Sequence, residues 1–587
     1  MPRLPRALLL VVLLAVVAIF PPVAPAKGPS TETKQPTAIG SGGAAATVDP
    51  LATRAAIDVL RSGGNAIDAA VAAAGVLGVV EPYSCGIGGG GFMTVYSARN
   101  RKVDTIDSRE TAPAAFRPDS FQENGQPIAF AEAVTSGLGV GVPGTVRGWQ
   151  LALDRYGTRS LASLLEPGKR IARQGFVADE TYSAQTEANR DRFDDFTSTR
   201  EVFLTETGTT PPPGSVVDNP DMARTYARLQ DDGPGAFYHG KLARAIVDTV
   251  KRPPVVPGTT RRVRPGLMET ADLADYRAKL RAPTKISYRG LDVYGMAPPS
   301  SGGSTVGESL NILEGFTPLG ATRTQALHRY LESSKLAFAD RNTYVGDPDF
   351  VDVPLTGLLS DGFAAERRQK IGDQALPTPQ PAGNPFPYNG GGSAATVGSS
   401  SSREGRSTTH LTVSDRAGNV VAYTFTIEST GGSAIVVPRH GFLLNNELTD
   451  FDFATGQPNS PAGGKRPRSS MAPTIVLKHG VPTLALGSPG GATIITTVLQ
   501  ILVNQVDFGL GLPEAIAAPR ASSRNGAIQA EPEFLATDGP ALQALGHTFA
   551  STPEIGAATA IRFLPDGRVQ AAAEPKRRGG GDARTVR

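Results

Sequence analysis

The sequence predicts an α+β protein in which apolar helices pack on sheets, and three stretches carry that prediction. Residues 66–80, AIDAAVAAAGVLGVV, are almost entirely apolar. A helix with no polar face is buried, here against a sheet. From residue 408 onward the chain is at its most β-rich: THLTVSD and NVVAYTFTIE flank RAG as the two arms of a β-hairpin. Between about 120 and 285 the pattern is mostly helical with polar loops.

The elements follow in order. Asp49 caps a first helix with Pro50 at its first position, and Gly63-Gly64 stops it. Asn65 caps the apolar helix that runs to Val80. GIGGGGFMTVYS (86–97) is a glycine run entering a strand. No G-K-[ST] follows it, so it is no phosphate loop, and close backbone packing explains the glycines. KVDTIDSRETAP (102–113) is a strand ending in the polar turn Asp107-Ser108-Arg109-Glu110. DVYGMAPPSSGG (292–303) runs from a strand into a Pro/Gly turn. Residues 324–348 read as an amphipathic helix broken by Gly-Asp-Pro. The stretch 374–407, rich in Pro, Gly and Ser, reads as a flexible segment. There is no internal repeat.

Composition narrows the function. The 587 residues are 40% hydrophobic and 19% charged, as in a globular chain with many turns. A net charge of +3 gives no electrostatic case for nucleic acid. Arg3 and Arg6, the apolar run 7–20 and the A-x-A at 24–26 read as a secretory signal, residues 1–26. The run is short of the ~20 apolar residues that a spanning helix needs, and no later segment reaches that length. The chain is therefore expected to be exported, to the periplasm or the extracellular space, without a stable membrane span. Cys85 is alone, so no intrachain disulfide forms. The six histidines contain no H-x-x-x-H pair, and neither a metal site nor an organic cofactor is expected.

The hairpin sets a register. If Ser414 pairs with Val420, Thr408 faces Thr426, close enough for a hydroxyl–hydroxyl hydrogen bond. Tyr423, Phe425 and Ile427 share one face of the second strand; Thr424, Thr426 and Glu428 share the other. This pattern alone also fits an ordinary solvated hairpin face. A different reading joins it to the segment upstream. If the Ser407–Thr408 bond is cut, Thr408 gains a free α-amine with a reference pKa of ~8. That amine is a built-in base for the threonine hydroxyl, and the chain has no G-x-S-x-G elbow to offer instead.

These residues resemble the γ-glutamyltranspeptidases (γ-glutamyltransferases) of the N-terminal nucleophile hydrolases. The resemblance runs from about 45 to 575. It rests on GGNAIDAAVA (63–72), GIGGGGFM (86–93), DSRETAP (107–113), PGTVRGW (143–149), PPSSGG (298–303), FADRNTYVGDPDF (338–350), TTHLTVSD (408–415), LLNNELTDF (443–451), KRPRSSMAPTIV (465–476) and GSPGGATIITTVLQ (487–500), all in order. It implies a four-layer αββα sandwich and autocleavage between Ser407 and Thr408. A large subunit, 27–407, and a small catalytic subunit, 408–587, would result. It implies Thr408 as nucleophile and Thr426 as its hydrogen-bonding partner. Gly490 and Gly491 would form the oxyanion hole. Arg109, Ser469 and Ser470 would take the substrate's α-carboxylate, and Glu428, Glu447 and Asp450 its α-ammonium. Glutathione and related γ-glutamyl compounds are the implied donors, and water, amino acids or peptides the acceptors.

Two departures stand out. Some members carry Asn where this chain has Glu428, and only Asp452 to Gly464 separate TDF from KRPRSS, too short for a lid. An open site would admit bulky or polymeric donors. A glutaryl-cleaving cephalosporin acylase is the alternative, but it would leave Asp450 without its ammonium partner. An uncleaved binding protein that kept the fold is the alternative of another class.

Overall fold

The computed structural model describes residues 32–391, 405 and 407–586. The secretory signal and most of 392–406 lie outside the described residues.

Two seven-stranded sheets form the centre of the molecule, and neighbouring strands in both are antiparallel. The first runs Thr37–Gly40, Val569–Ala573, Thr559–Phe563, Val481–Gly487, Thr474–Lys478, Leu291–Gly295, Thr284–Tyr288. The second runs Asp582–Thr585, Ala44–Thr47, Thr409–Ser414, Val420–Thr426, Gly90–Ser97, Lys102–Asp107, Lys279–Arg281. Each sheet is thus built from strands on both sides of the Ser407–Thr408 bond.

The sheets meet through small apolar side chains, such as Ala44, Ala46, Ile561 and Ala571 at one end and Val420, Ala422, Ile475 and Ala485 at the other. Helices cover both outer faces. Asp49 accepts from the N–H of Leu51 to cap helix Pro50–Arg61, and Asn65 forms a capping box with Asp68 at the start of Ala66–Val80. Every residue of Ala66–Val80 is buried, and it shares a core with Tyr423, Phe425 and Ile427. On the other side, helices Gly302–Glu314 and Thr493–Val506 pack on the first sheet through Val306, Leu310, Ile495 and Val498. The layers are α, β, β, α, as the resemblance implied.

The hairpin register is the expected one: Ser414 pairs with Val420 and Thr409 with Phe425. Three expectations need correction. The polar hairpin face is not solvated, because Thr424, Thr426 and Glu428 are all buried. Helix Arg323–Tyr344 is not amphipathic: Glu332, Lys335, Asp340 and Arg341 are buried along with its apolar residues. A second shell of chain covers it, and charges on both sides pair, as Arg367 does with Asp340 at 2.9 Å. That covering chain includes the first half of the supposedly flexible segment. Residues 374–391 are tied down, with Leu376 N–H donating to Glu332, Gly383 N–H to Asp340 and Gln380 N–H to Asn525.

Candidate active site

Thr408 immediately precedes the central strand Thr409–Ser414, and Thr426 ends its neighbour. Their hydroxyl oxygens are 3.2 Å apart. The Ser407–Thr408 peptide bond is intact, and the Thr408 hydroxyl sits in short contact with the carbonyl oxygen of Ser407. Thr426 Oγ1 accepts the Glu428 N–H at 2.9 Å, which directs its own proton to that carbonyl at 3.0 Å. The glycine run makes this possible. A Cβ on Gly89 would lie 1.9 Å from the Thr426 carbonyl oxygen, and one on Gly91 2.5 Å from that of Thr424. Only glycine lets strand Gly90–Ser97 lie this close to the hairpin.

One small pocket gathers Thr408 and Thr426 with Arg109, Glu428, Glu447, Asp450, Ser469, Ser470 and Gly491. Ser407 and Gly405 also line it, so the uncut chain enters the pocket. Gly490 stands beside it without lining it.

Arg109 is 1% exposed, although it sits in what reads as a polar turn. Its guanidinium is held by the carbonyls of Pro467 and Arg468 at 3.2 and 3.1 Å, by Asp450 at 2.5 Å and by a close pair with Glu447. Burial alone would lower its pKa, but Glu447 and Asp450 together hold it above the ordinary arginine value. Glu110 lies behind the pair, and burial pushes its carboxyl up to about 8 against the pull of Arg109. Burial raises the Glu447 carboxyl as well, against the pull of Arg109, and Glu447 and Asp450 share the one guanidinium. Glu428 is raised to about 7, first by burial and then by the charge of Glu447. Ser429 and Asn446 donate to its carboxylate, and so does the backbone N–H of Gly405. Among the described residues the pocket lining carries three carboxylates, Glu428, Glu447 and Asp450, to one cation, Arg109, which suits a ligand carrying an ammonium.

Ser469 and Ser470 reach the pocket because the Pro/Gly turn holds them. Ser469 N–H donates to Pro299, and Ser301 N–H donates back to Ser469 at 2.7 Å. The Ser470 hydroxyl accepts from Arg341 at 2.8 Å. Gly490 and Gly491 have φ of 134° and 56°, a backbone that side chains disfavour. Neither of their N–H groups has a protein acceptor among the described residues. They lie just ahead of helix Thr493–Val506, where donors point outward.

Three features escaped the sequence reading. Met471 and Ile494 form the pocket's apolar wall. Arg578 donates to the Thr408 carbonyl at 2.8 Å from a left-handed backbone, φ 53°. The KRRGGG run (576–581) was its only sequence signal. Away from the pocket, His328, Glu332 and His547 bring possible ligand atoms within 4.8 Å of one another. They are already engaged: His328 Nδ1 bonds His547 Nε2 at 2.8 Å, and Lys335 donates to Glu332 at 2.8 Å. The short stretch 452–464 does not line the pocket. Phe453 instead stacks on Phe121, ring centres 4.3 Å apart.

The family model for gamma-glutamyltranspeptidase matches residues 52–583. This chain belongs to the γ-glutamyltranspeptidase family. It is 40% identical over 522 residues to a glutathione hydrolase proenzyme of Bacillus subtilis, covering 88% of this chain and 86% of that one. It is 37% identical over 558 residues to the glutathione hydrolase proenzyme of Escherichia coli, covering 91% and 90%. An acylase ACY 1 proenzyme from Pseudomonas is also 37% identical, over 547 residues, covering 91% and 92%. Among solved structures, a cephalosporin acylase from Bacillus halodurans superposes with a TM-score of 0.81 at 29% identity, over 97% of this chain and 100% of that one. Family membership therefore spans both γ-glutamyl and acylase relatives, and the pocket has to separate them.

Proposed function

We propose that the protein is an exported γ-glutamyltransferase and hydrolase whose nucleophile is Thr408, freed by cutting its own chain. The observation that carries this reading is the Thr408 hydroxyl set against the Ser407 carbonyl, with Thr426 donating to the same oxygen. Attack by Thr408 Oγ1 on that carbonyl carbon forms an ester and breaks the peptide C–N bond. The hydroxyl proton ends on the Thr408 nitrogen. Water then opens the ester and leaves Ser407 as a carboxylate and Thr408 with a free amine. The large subunit is 27–407 and the small subunit 408–587, held together by the two shared sheets.

In the mature site that amine takes the Thr408 hydroxyl proton as the oxygen attacks the γ-carbonyl of the donor. Gly490 and Gly491 N–H groups receive the oxyanion, each worth ~3–4 kcal/mol. The leaving amine takes the proton, and the γ-glutamyl ester on Thr408 passes to water, an amino acid or a peptide. Arg109, Ser469 and Ser470 bind the α-carboxylate; Glu428, Glu447 and Asp450 bind the α-ammonium. In the uncut chain the Gly405 N–H stands on Glu428 where that ammonium belongs.

Glutathione is the donor suggested by the names of the relatives. The acylase reading leaves Glu428, Glu447 and Asp450 with only the Arg109 guanidinium, already shared by Glu447 and Asp450, to offset them among the described residues of the pocket lining, and that excess of carboxylate argues for the γ-glutamyl donor. Turnover of γ-glutamyl against glutaryl p-nitroanilide decides between them. A preference for the glutaryl substrate would overturn the assignment.

A further inference from the structure

A second site is built on the surface, from three elements that play no part in the chemistry above. On helix Pro220–Asp232, Arg224 and Arg228 are four residues apart and share a face. On helix Gly240–Lys251, Lys241 and Arg244 point into the same groove. The loop 438–440 closes it, with Arg439 and His440. Asp221 and Asp232 pair with Arg224 and Arg228, and Asp248 with Arg252. Lys241, Arg244 and Arg439 are exposed and form no ion pair among the described residues.

The loop is held in place rather than merely present. Arg439 has φ of 64°, a left-handed backbone that costs a non-glycine residue ~1 kcal/mol or more. Thr225 donates to the His440 carbonyl at 2.9 Å, and Asn219 Nδ2 to that of Gly441 at 2.7 Å. A strained backbone that neighbours enforce at a cationic tip marks a place where the cation's position matters. The crowding of positive charge also shows on His440, whose pKa is lowered by burial and then by Arg228, Arg439 and Arg224.

We propose that this groove is a phosphate-binding site, for a ligand that presents clustered phosphates. Cations converge on it from three separate elements. A tetrahedral phosphate offers oxygens in several directions, whereas a planar carboxylate serves one guanidinium fork at a time. The same chemistry occurs on a soluble polyphosphate and on a phospholipid headgroup.

The test uses the processed, full-length protein at low salt. Calorimetric titration with tripolyphosphate should show binding that weakens as salt rises. The triple variant Lys241→Ala, Arg244→Ala, Arg439→Ala should bind at least tenfold more weakly, with γ-glutamyl turnover unchanged. A control triple at the exposed cations Arg173, Lys370 and Arg416 should stay within twofold. The His440 ring should titrate at higher pH when tripolyphosphate is bound. Co-sedimentation with phosphatidylcholine vesicles, with and without phosphatidylglycerol, distinguishes a headgroup from a soluble chain. No binding in either arm, equal losses in both triples, or tighter binding of poly-L-glutamate than of tripolyphosphate would overturn the proposal.

Discussion

The hydroxyl of Thr426 lies 3.0 Å from the carbonyl oxygen of Ser407 and 3.2 Å from the hydroxyl of Thr408. In the self-cleavage proposed above, one side chain thus touches both the group that would attack and the oxygen that would take up charge. Thr426→Val keeps the shape and removes the donor. Self-cleavage should slow about 10²-fold, the usual cost of losing one oxyanion donor. Thr426→Ser should restore most of the rate. Time courses of the cut fraction on denaturing gels measure it, and an unchanged Thr426→Val rate would remove this residue from the mechanism.

Glu428 predicts a pH effect on donor binding. Its carboxyl is raised to about 7 by burial and by Glu447. The ionised form is the one that binds an ammonium, so KM should fall as pH rises through about 7. Glu428→Gln should raise KM roughly tenfold or more, given ~1.5–3 kcal/mol for a charged hydrogen bond, and should abolish that pH dependence. A variant that keeps the KM profile would place the titration elsewhere.

His410 predicts sensitivity to acid. It is buried between the sheets, hydrogen-bonded to Thr424 at 2.7 Å and Thr412 at 3.1 Å, and burial lowers its pKa to about 3. A depressed histidine pKa means that stability is fully present above the unfolded value of 6.5 and is lost as pH falls towards 3. The slope is at most ~1.4 kcal/mol per pH unit. Glu428 acts in the opposite sense, because a raised carboxyl loses stability as pH climbs from 4.5 to about 7. Comparing His410→Gln with the parent isolates the histidine: the stability gap between pH 7 and pH 5 should shrink by about 2 kcal/mol.

Gly89 predicts a failure of packing that carries over into chemistry. An alanine Cβ there meets the Thr426 carbonyl oxygen at 1.9 Å, and backbone cannot yield as a side chain can. Gly89→Ala should cost more than the ~1–3 kcal/mol of ordinary overpacking and leave the chain largely uncut. A control, Gly63→Ala, sits in open space at a left-handed φ of 86°. It should lower stability by only about 1 kcal/mol and process normally.

The sequence was legible where the physics is local. Asp49 and Asn65 cap their helices as their neighbours dictate, and closing the hairpin with Ser414 opposite Val420 puts the strands in the observed register. Thr408 opposite Thr426 followed from that register alone. Burial was less legible. Arg109 reads as a solvated turn residue because its partners, Glu447 and Asp450, lie more than three hundred positions away. Helix Arg323–Tyr344 reads as amphipathic because nothing in its own residues reveals the chain that folds over it. Arg578 was invisible for the same reason: its contact with Thr408 exists only once the C-terminal strand Asp582–Thr585 has joined the second sheet. Most of the residues that line the pocket were therefore readable as a set of motifs, while its electrostatics required the fold.

The most direct test is the intact mass of the purified, folded protein beside its Thr408→Ala variant. The account predicts two chains for the parent, the smaller running from Thr408 to Arg587 with a free threonine amine, and a single uncut chain for the variant. The two parent chains should co-purify until denatured, because both sheets are shared. A folded parent that stays whole, or a smaller chain that begins at any residue other than Thr408, would contradict the account.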